Sequence, residues 1–168
     1  MKKAIPLTAD LPSDLSEFHA ALRPRARLLG FDVGTKTLGL ALSDTSLSIA
    51  SPLETLRRTK FSLDVVKIQA LVTRHDIGGF VIGLPVNMDA SEGPRAQSAR
   101  SFGQNLQGVI NLPVAFWDER MSTAAVTRMM IEADTTRARR AELVDKLAAS
   151  FILQGALDRL KDLGLTRV

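Results

Sequence analysis

Acidic residues stand at the ends of apolar segments in three separate parts of the chain. Asp32 ends the apolar run that begins at Leu28, and a glycine turn follows it directly. Asp118 and Glu119 close the apolar segment "LPVAFW". Asp145 lies in "ELVDKLAASFILQ", where the residues three, four and seven positions later are apolar and share its side of a helix. An ionised carboxylate on an apolar surface is costly unless a cation or strong donors accompany it. These positions therefore indicate a chemical role.

Each acid also has a purely structural explanation. Asp32 can cap the glycine turn that follows it, since aspartate often bonds to the amides two residues on. Asp118 can cap a following helix, and Asp145 can form an ion pair at a helix edge. For Asp32 the amides would be those of Gly34 and Thr35. The helix capped by Asp118 would begin near Ser122, and Asp145 would pair with Arg140 or Lys146.

Taken together, the acids favour a metal site. Two of the positions end buried strands, and the third lies on a helix that must pack against the same sheet. Carboxylates that converge on one spot repel each other unless a divalent cation neutralises them. Oxygen ligands, with no cysteine and only two histidines in the chain, fit Mg²⁺ or Mn²⁺ rather than zinc. Metal ions held by carboxylates serve in-line displacement at phosphorus, where they stabilise the attacking and leaving oxygens.

The hydrophobic pattern predicts the elements that must position these acids. Three short strands separated by turns suggest an antiparallel meander. Two later apolar runs lack alternation, which is typical of strands covered on both faces. An α/β fold follows, with a mixed sheet and helices on its faces. The predicted order is strands 28–33, 37–43 and 48–56, a helix over 62–75 capped by Ser62, strand 80–84, a helix over 94–108, a strand in "LPVAFW", a helix capped by Ser122 or Thr123, and a helix over 138–163.

Length and composition indicate one domain without disulfides. The chain has 168 residues and no cysteine, which excludes thiolate zinc sites and a cysteine nucleophile. Its 22 lysines and arginines exceed its 18 acids, a modest excess that favours anionic partners. No apolar run reaches the roughly 20 residues of a membrane helix, so we expect a cytoplasmic protein without a membrane partner. Residues 1–26 contain three prolines and are predicted to be an N-terminal extension with a short amphipathic helix, and residues 27–168 the folded domain.

Four segments of the sequence resemble one known family. They are "FDVGTKTLGLALSD", "VIGLPVNMDASEGPRAQ", "FWDERMST" and "VDKLAASFILQ", and they occur in the order and at the spacing of the YqgF/RuvX family. That family comprises pre-16S rRNA nucleases and Holliday junction resolvases. The resemblance implies an RNase H-like fold, with a five-stranded mixed sheet whose first three strands are antiparallel and with helices on both faces. Thr37 and Ala90 depart from the family pattern, which commonly has arginine and glycine there.

The resemblance further implies a Mg²⁺- or Mn²⁺-dependent nuclease that hydrolyses phosphodiester bonds of a structured nucleic acid. It places Asp32 on the central first strand and Asp145 on the last helix, as catalytic metal ligands. Asp118 and Glu119 point to opposite faces if their strand continues, so normally only one of them reaches the metal, and the sequence leaves both as candidates. Precursor 16S rRNA is favoured as the substrate over branched DNA. The oligomeric state is left open.

Polar residues near these acids are candidates for substrate binding. Lys36 follows the Asp32 turn, and Asn87 lies in a polar loop directly after a buried strand. Arg95 lies at a predicted helix N-terminus, where free amides favour phosphate. Arg120 follows the acid pair and could bind a substrate phosphate or pair with Glu119. Two other classes of protein stay open: a nucleotide-binding phosphotransferase, for which this chain lacks a second domain, and a non-catalytic nucleic-acid-binding module.

Overall fold

A computed structural model describes residues 12–121 and 137–166, with side chains for 15–121 and 146–166. Four helices, five strands and one 3₁₀ turn make up the part of the chain that it describes. The elements are α1 (Pro12–Ala20), β1 (Arg27–Val33), β2 (Thr37–Ser43), β3 (Ala50–Arg57), α2 (Phe61–His75), β4 (Ile77–Leu84), α3 (Pro94–Val109), β5 (Val114–Asp118), the 3₁₀ turn Glu119–Met121 and α4 (Arg137–Asp162).

The strands form one mixed sheet in the order β3-β2-β1-β4-β5. The first three strands pair antiparallel, whereas β4 joins β1 in parallel and β5 joins β4 in parallel. β1 is therefore the central strand, and the predicted α/β fold with an antiparallel meander is confirmed. The helix predicted to begin at Ser122 or Thr123 falls outside the described residues.

Side chains on the two faces of the sheet build two separate cores. Helices α2 and α3 cover one face, where Leu29 and Phe31 of β1 are fully buried. Helices α1 and α4 cover the other face, where Leu28 lies. Gly30 also faces α4, because a Cβ atom built on it would stand 2.8 Å from Leu153 Cβ. This alternation along β1 fixes the face on which each following residue lies.

The described part of residues 1–26 packs onto the core. Phe18 of α1 is fully buried, and Leu15 is 3% exposed. Both belong to the apolar cluster that α4 forms with the sheet. The short helix in this segment was predicted, and its close packing was not. The division of the chain at residue 26 remains a prediction.

The cap predicted for α2 is wrong. Lys60, not Ser62, is the N-cap residue, and its side chain makes no capping bond. Instead Asp64 in the first turn accepts hydrogen bonds from the Thr59 amide at 3.0 Å and the Thr59 hydroxyl at 2.7 Å. A carboxylate in the first turn also stabilises the positive end of the helix dipole.

Candidate active site

The carboxyl ends of the three parallel strands lie at one edge of the sheet. The β1–β2 turn, the loop after β4 and the 3₁₀ turn after β5 all begin there. In α/β sheets this edge is where ligands bind. Asp32, Asn87 and Glu119 therefore lie on neighbouring elements, although they are far apart in the sequence. We call this region the catalytic edge.

Asp32 is buried on the face that α4 covers. It is 3% exposed and stands two residues after Gly30, which packs against α4. The structural explanation for Asp32 relied on the Gly34 and Thr35 amides. Of these two, the Gly34 amide donates instead to the Thr37 carbonyl at 2.9 Å. Asp32 thus lies on a sheet face with its carboxylate at the end of the central strand.

Glu119 reaches the same face as Asp32. A Cβ atom built on Gly83 would stand 2.7 Å from Glu119 Oε1, so this carboxylate lies directly over the glycine. Gly83 follows Ile82, the register partner of Phe31, and is therefore the β4 neighbour of Asp32. Adjacent strands are about 4.8 Å apart. Asp32 and Glu119 thus lie on one face of the sheet beside Gly83, where a residue with a Cβ atom would collide with the Glu119 carboxylate.

Asp118 lies at the end of β5 and forms an ion pair with Arg120. The carboxylate is 2% exposed and accepts bonds from Arg120 Nε at 3.0 Å and Nη2 at 2.6 Å, and from the Arg120 amide at 2.9 Å. Arg120 Nη1 also lies 3.4 Å from the carbonyl oxygens of Asn87 and Met88. The sequence had offered a substrate phosphate or Glu119 as the partner of Arg120. In the structure Arg120 forms an ion pair with Asp118, and this pair connects the β4–α3 loop to β5.

The β4–α3 loop is closed by its own hydrogen bonds. The Asn87 amide donates to the Ser91 carbonyl at 2.9 Å, and Asn87 Nδ2 donates to Ser91 Oγ at 3.0 Å. Hydrogen bonds from the Ser91 hydroxyl and amide lower the pKa of Asp89. At the end of the loop, Arg100 binds both carboxylate oxygens of Glu92 and lowers its pKa. Asn87 therefore serves the loop structure, with its carbonyl also near Arg120.

Ala90 occupies a backbone conformation that favours glycine, with φ of 70°. Replacing Ala90 with glycine should stabilise the protein, since the left-handed conformation costs a residue with a Cβ roughly 1–2 kcal/mol and glycine almost nothing. The greater entropy of glycine in the unfolded chain offsets part of this gain. We expect Tm to rise by about 1–3 °C in thermal melts. A fall in Tm would contradict the assigned strain.

The predicted basic residues occupy different parts of the catalytic edge. Lys36 is exposed in the β1–β2 turn, and Arg95 is exposed in the first turn of α3. Sequence reasoning missed Arg58, whose Nη1 donates to the Gly34 carbonyl at 2.6 Å and whose amide donates to the Lys36 carbonyl at 2.8 Å. Arg58 thereby fixes the turn that follows Asp32. Only its basic character, shared by several neighbours, was visible in the sequence.

Asp145 lies in α4, as predicted, and its side chain lies outside the described residues, as do those of the arginines at 137, 139 and 140. Among the side chains of 15–121 and 146–166, no three acidic or histidine residues form a group able to hold a metal ion. Of the predicted metal ligands, the structure describes the side chains of Asp32, Asp118 and Glu119, and Asp32 and Glu119 lie on the face that α4 covers. No helix in the described part of the chain is long and apolar enough to cross a membrane.

Comparison with known proteins identifies the family. The family model described as "RuvX: Holliday junction resolvase" matches residues 26–159. A protein of Rhodobacter capsulatus, named as a candidate pre-16S rRNA nuclease, is 59% identical over 150 residues, which cover 89% of this chain and 94% of that protein. A protein of the same name from Beijerinckia indica is 58% identical over 146 residues, covering 87% and 88% of the two chains.

The fold also matches a solved structure. Thermus thermophilus RuvC, in complex with a Holliday junction substrate, superposes with a TM-score of 0.51 at 13% identity, covering 84% of this chain and 98% of that one. At this identity the match shows the shared fold, which confirms the expected RNase H-like architecture. The family match over residues 26–159 agrees with the four segments that suggested it. This chain belongs to the RuvX family.

Proposed function

We propose that this protein is a divalent-metal-dependent nuclease that hydrolyses phosphodiester bonds in precursor 16S rRNA in the cytoplasm. The observation that carries the proposal is that the buried Asp32 and Glu119 lie on one face of the sheet, beside Gly83, at the catalytic edge. The family supports nuclease activity, and the names of the relatives in Rhodobacter and Beijerinckia support the rRNA substrate.

The direction of α4 across the sheet is relevant to Asp145, the third predicted metal ligand. Gln154 Oε1 accepts a hydrogen bond from the Ala50 amide at 2.9 Å. Ala50 is the first residue of β3, at the edge of the sheet where β1 begins. The next turn back in α4 contacts the middle of β1, since a Cβ atom on Gly30 would stand 3.3 Å from the Ala149 carbonyl oxygen. We infer from these two contacts that α4, followed backward, runs toward the carboxyl end of β1.

This course brings Asp145 toward the acid pair. Asp145 precedes Ala149 by one helical turn, a distance of about 6 Å along the helix. Asp32 follows Gly30 by two strand residues, or about 6.6 Å. From these distances we infer that the α4 turn that starts at Asp145 lies near Asp32, and we assign Asp145 as the third carboxylate. Pairing of Asp145 with Arg140 or Lys146 is the competing arrangement.

The chemistry of the donors fits Mg²⁺ or Mn²⁺. Asp32, Glu119 and Asp145 supply only carboxylate oxygens, the ligand type that hard divalent cations prefer. Such a cation would activate the attacking water and stabilise charge on the scissile phosphate. Burial of Asp32 and Glu119, at 3% and 6% exposure, holds the carboxylates in fixed positions and excludes bulk water. Asp118 is then a structural residue that orients Arg120.

Cleavage assays separate the two substrates that the family allows. End-labelled precursor 16S rRNA and a four-way DNA junction should be incubated with the purified protein in Mg²⁺, in Mn²⁺ and in EDTA. We expect metal-dependent cuts at discrete sites in the RNA. Cuts in the junction alone would favour the Holliday junction resolvase, the alternative that the family description supports. Binding without cleavage of either substrate would indicate a non-catalytic nucleic-acid-binding module.

A further inference from the structure

Met88 stands in the loop at the catalytic edge and is almost fully exposed. Its exposure of 89% is the largest among the exposed large apolar residues of the described chain. Single exposed apolar side chains are common on protein surfaces, so exposure alone assigns no role. The surroundings of Met88 carry the argument.

The backbone that carries Met88 is held in place from both sides. The Asn87 amide bonds to the Ser91 carbonyl, and the Ala90 amide bonds to the Asn87 carbonyl, both at 2.9 Å. Arg120 Nη1 adds contacts of 3.4 Å to two carbonyl oxygens of the loop. A side chain on such a fixed loop loses little backbone entropy when a ligand contacts it. Met88 is therefore presented in a prearranged position.

The same contacts place Met88 close to the acid pair. Arg120, which touches the Met88 carbonyl, follows Glu119 directly in the chain. Met88 also follows Gly83 by only five residues, which limits their separation to about 18 Å of extended chain. A nucleic acid with a phosphate at Asp32 and Glu119 thus brings its adjacent nucleotides within reach of Met88.

A nucleobase suits this position better than a protein partner. Methionine is among the apolar side chains that proteins insert between base steps, and its polarizable sulfur contacts aromatic rings favourably. Exposed Arg95 and partly exposed Arg120 supply cationic groups for the flanking phosphates. The buried core of a protein interface is formed mainly by several apolar side chains together. Around Met88 the loop instead presents Asn87, Asp89 and Ser91.

We infer that Met88 packs against a nucleobase next to the scissile phosphate and thereby helps to set the position of the cut. This inference rests on the proposed nuclease function. Met88 acts on binding and on the choice of bond, whereas the carboxylates perform the chemistry.

The test combines cleavage with a base-specific fluorescence signal. Met88→Ala is expected to lower kcat/KM on the precursor RNA about three- to tenfold and to spread the cut over neighbouring bonds, while Met88→Leu retains most of the activity. Binding is then followed with 2-aminopurine placed at each position around the mapped cut, in the Asp32→Asn background. One position should change its fluorescence on binding, and that change should disappear when Met88→Ala is added.

Ile49→Ala is the matched control, because Ile49 is 62% exposed at the opposite edge of the sheet. It should preserve the rate, the cut position and the fluorescence signal, and Tm should be unchanged in both alanine variants. If the wild type cuts the RNA and Met88→Ala cuts it at the same rate and position, the inference is overturned and the nuclease assignment stands. If the wild type neither binds nor cuts RNA or the junction, both are overturned.

Discussion

Glu119→Gln should lower the cleavage rate by at least about two orders of magnitude, the scale on which one charge-stabilising group contributes to catalysis. The Glu119 carboxylate lies over Gly83, next to Asp32, on the face that α4 covers. Glutamine has the same size and fits the same space, so the fold should persist. Its amide oxygen is a weaker ligand for a hard cation than a carboxylate. Steady-state cleavage of the precursor RNA in Mg²⁺ measures the effect.

Asp118→Asn is the matched change one residue earlier, and it should act on stability instead. Asp118 holds Arg120 through both carboxylate oxygens, and asparagine loses the charge and one of the acceptors. A lost hydrogen bond to a charged group costs about 1–3 kcal/mol, which lowers Tm by roughly 2–4 °C per kcal/mol in a chain of this size. Substantial cleavage should remain. If Asp118→Asn abolished cutting while Glu119→Gln preserved it, the two acids would have to exchange roles.

The sequence left these two acids unranked for a physical reason. Strand alternation places neighbouring residues on opposite faces, but it does not say which face carries the site. β5 ends at Asp118, and a 3₁₀ turn begins at Glu119, so the turn geometry also decides where the second carboxylate goes. Our assignment of Glu119 rests on Gly83 in another strand, over which its carboxylate lies. The assignment therefore depends on tertiary packing rather than on local pattern.

The parallel strands of the sheet could be predicted from the sequence because they are buried on both faces. All eight residues of β4 and all five of β5 are buried, which matches their apolar runs without alternation. Asp32 could be placed at the end of β1 for the same reason: a polar residue stands out in a segment that is otherwise apolar.

Contacts distant in sequence account for what was missed. The packing of α1 depends on glycine in β4: a Cβ atom on Gly79 would stand 2.7 Å from Leu22 Cδ2 and 3.1 Å from Phe18. The two adjacent glycines, Gly78 and Gly79, are visible in the sequence. The side chains that pack against Gly79 lie more than fifty residues earlier, so the sequence alone did not predict this contact. Arg58 is similar, because its bond to the Gly34 carbonyl crosses from the end of β3 to the β1–β2 turn.

Asp32→Asn should abolish cleavage and at the same time raise Tm in EDTA. Asp32 and Glu119 are both buried beside Gly83 on one face of the sheet, so we expect their like charges to destabilise the metal-free fold. An amide removes one charge and keeps the size of the side chain. Each kcal/mol of relieved repulsion should raise Tm by about 2–4 °C. The stabilisation by Mn²⁺, about 2.7 kcal/mol at a hundred times Kd for an intact site, should shrink.

Asp64→Asn provides the control that separates a metal ligand from an ordinary buried acid. Asp64 is 3% exposed, as Asp32 is, but its carboxylate accepts hydrogen bonds from Thr59 at the start of α2. Losing that acceptor charge should lower Tm in EDTA and in Mn²⁺ by the same amount, because the metal response does not depend on Asp64. Melting curves of the three proteins in both conditions give opposite signs for the two substitutions. A Mn²⁺-induced shift of wild-type size in Asp32→Asn would remove Asp32 from the metal site, and the carboxylate pair over Gly83 would then need another explanation.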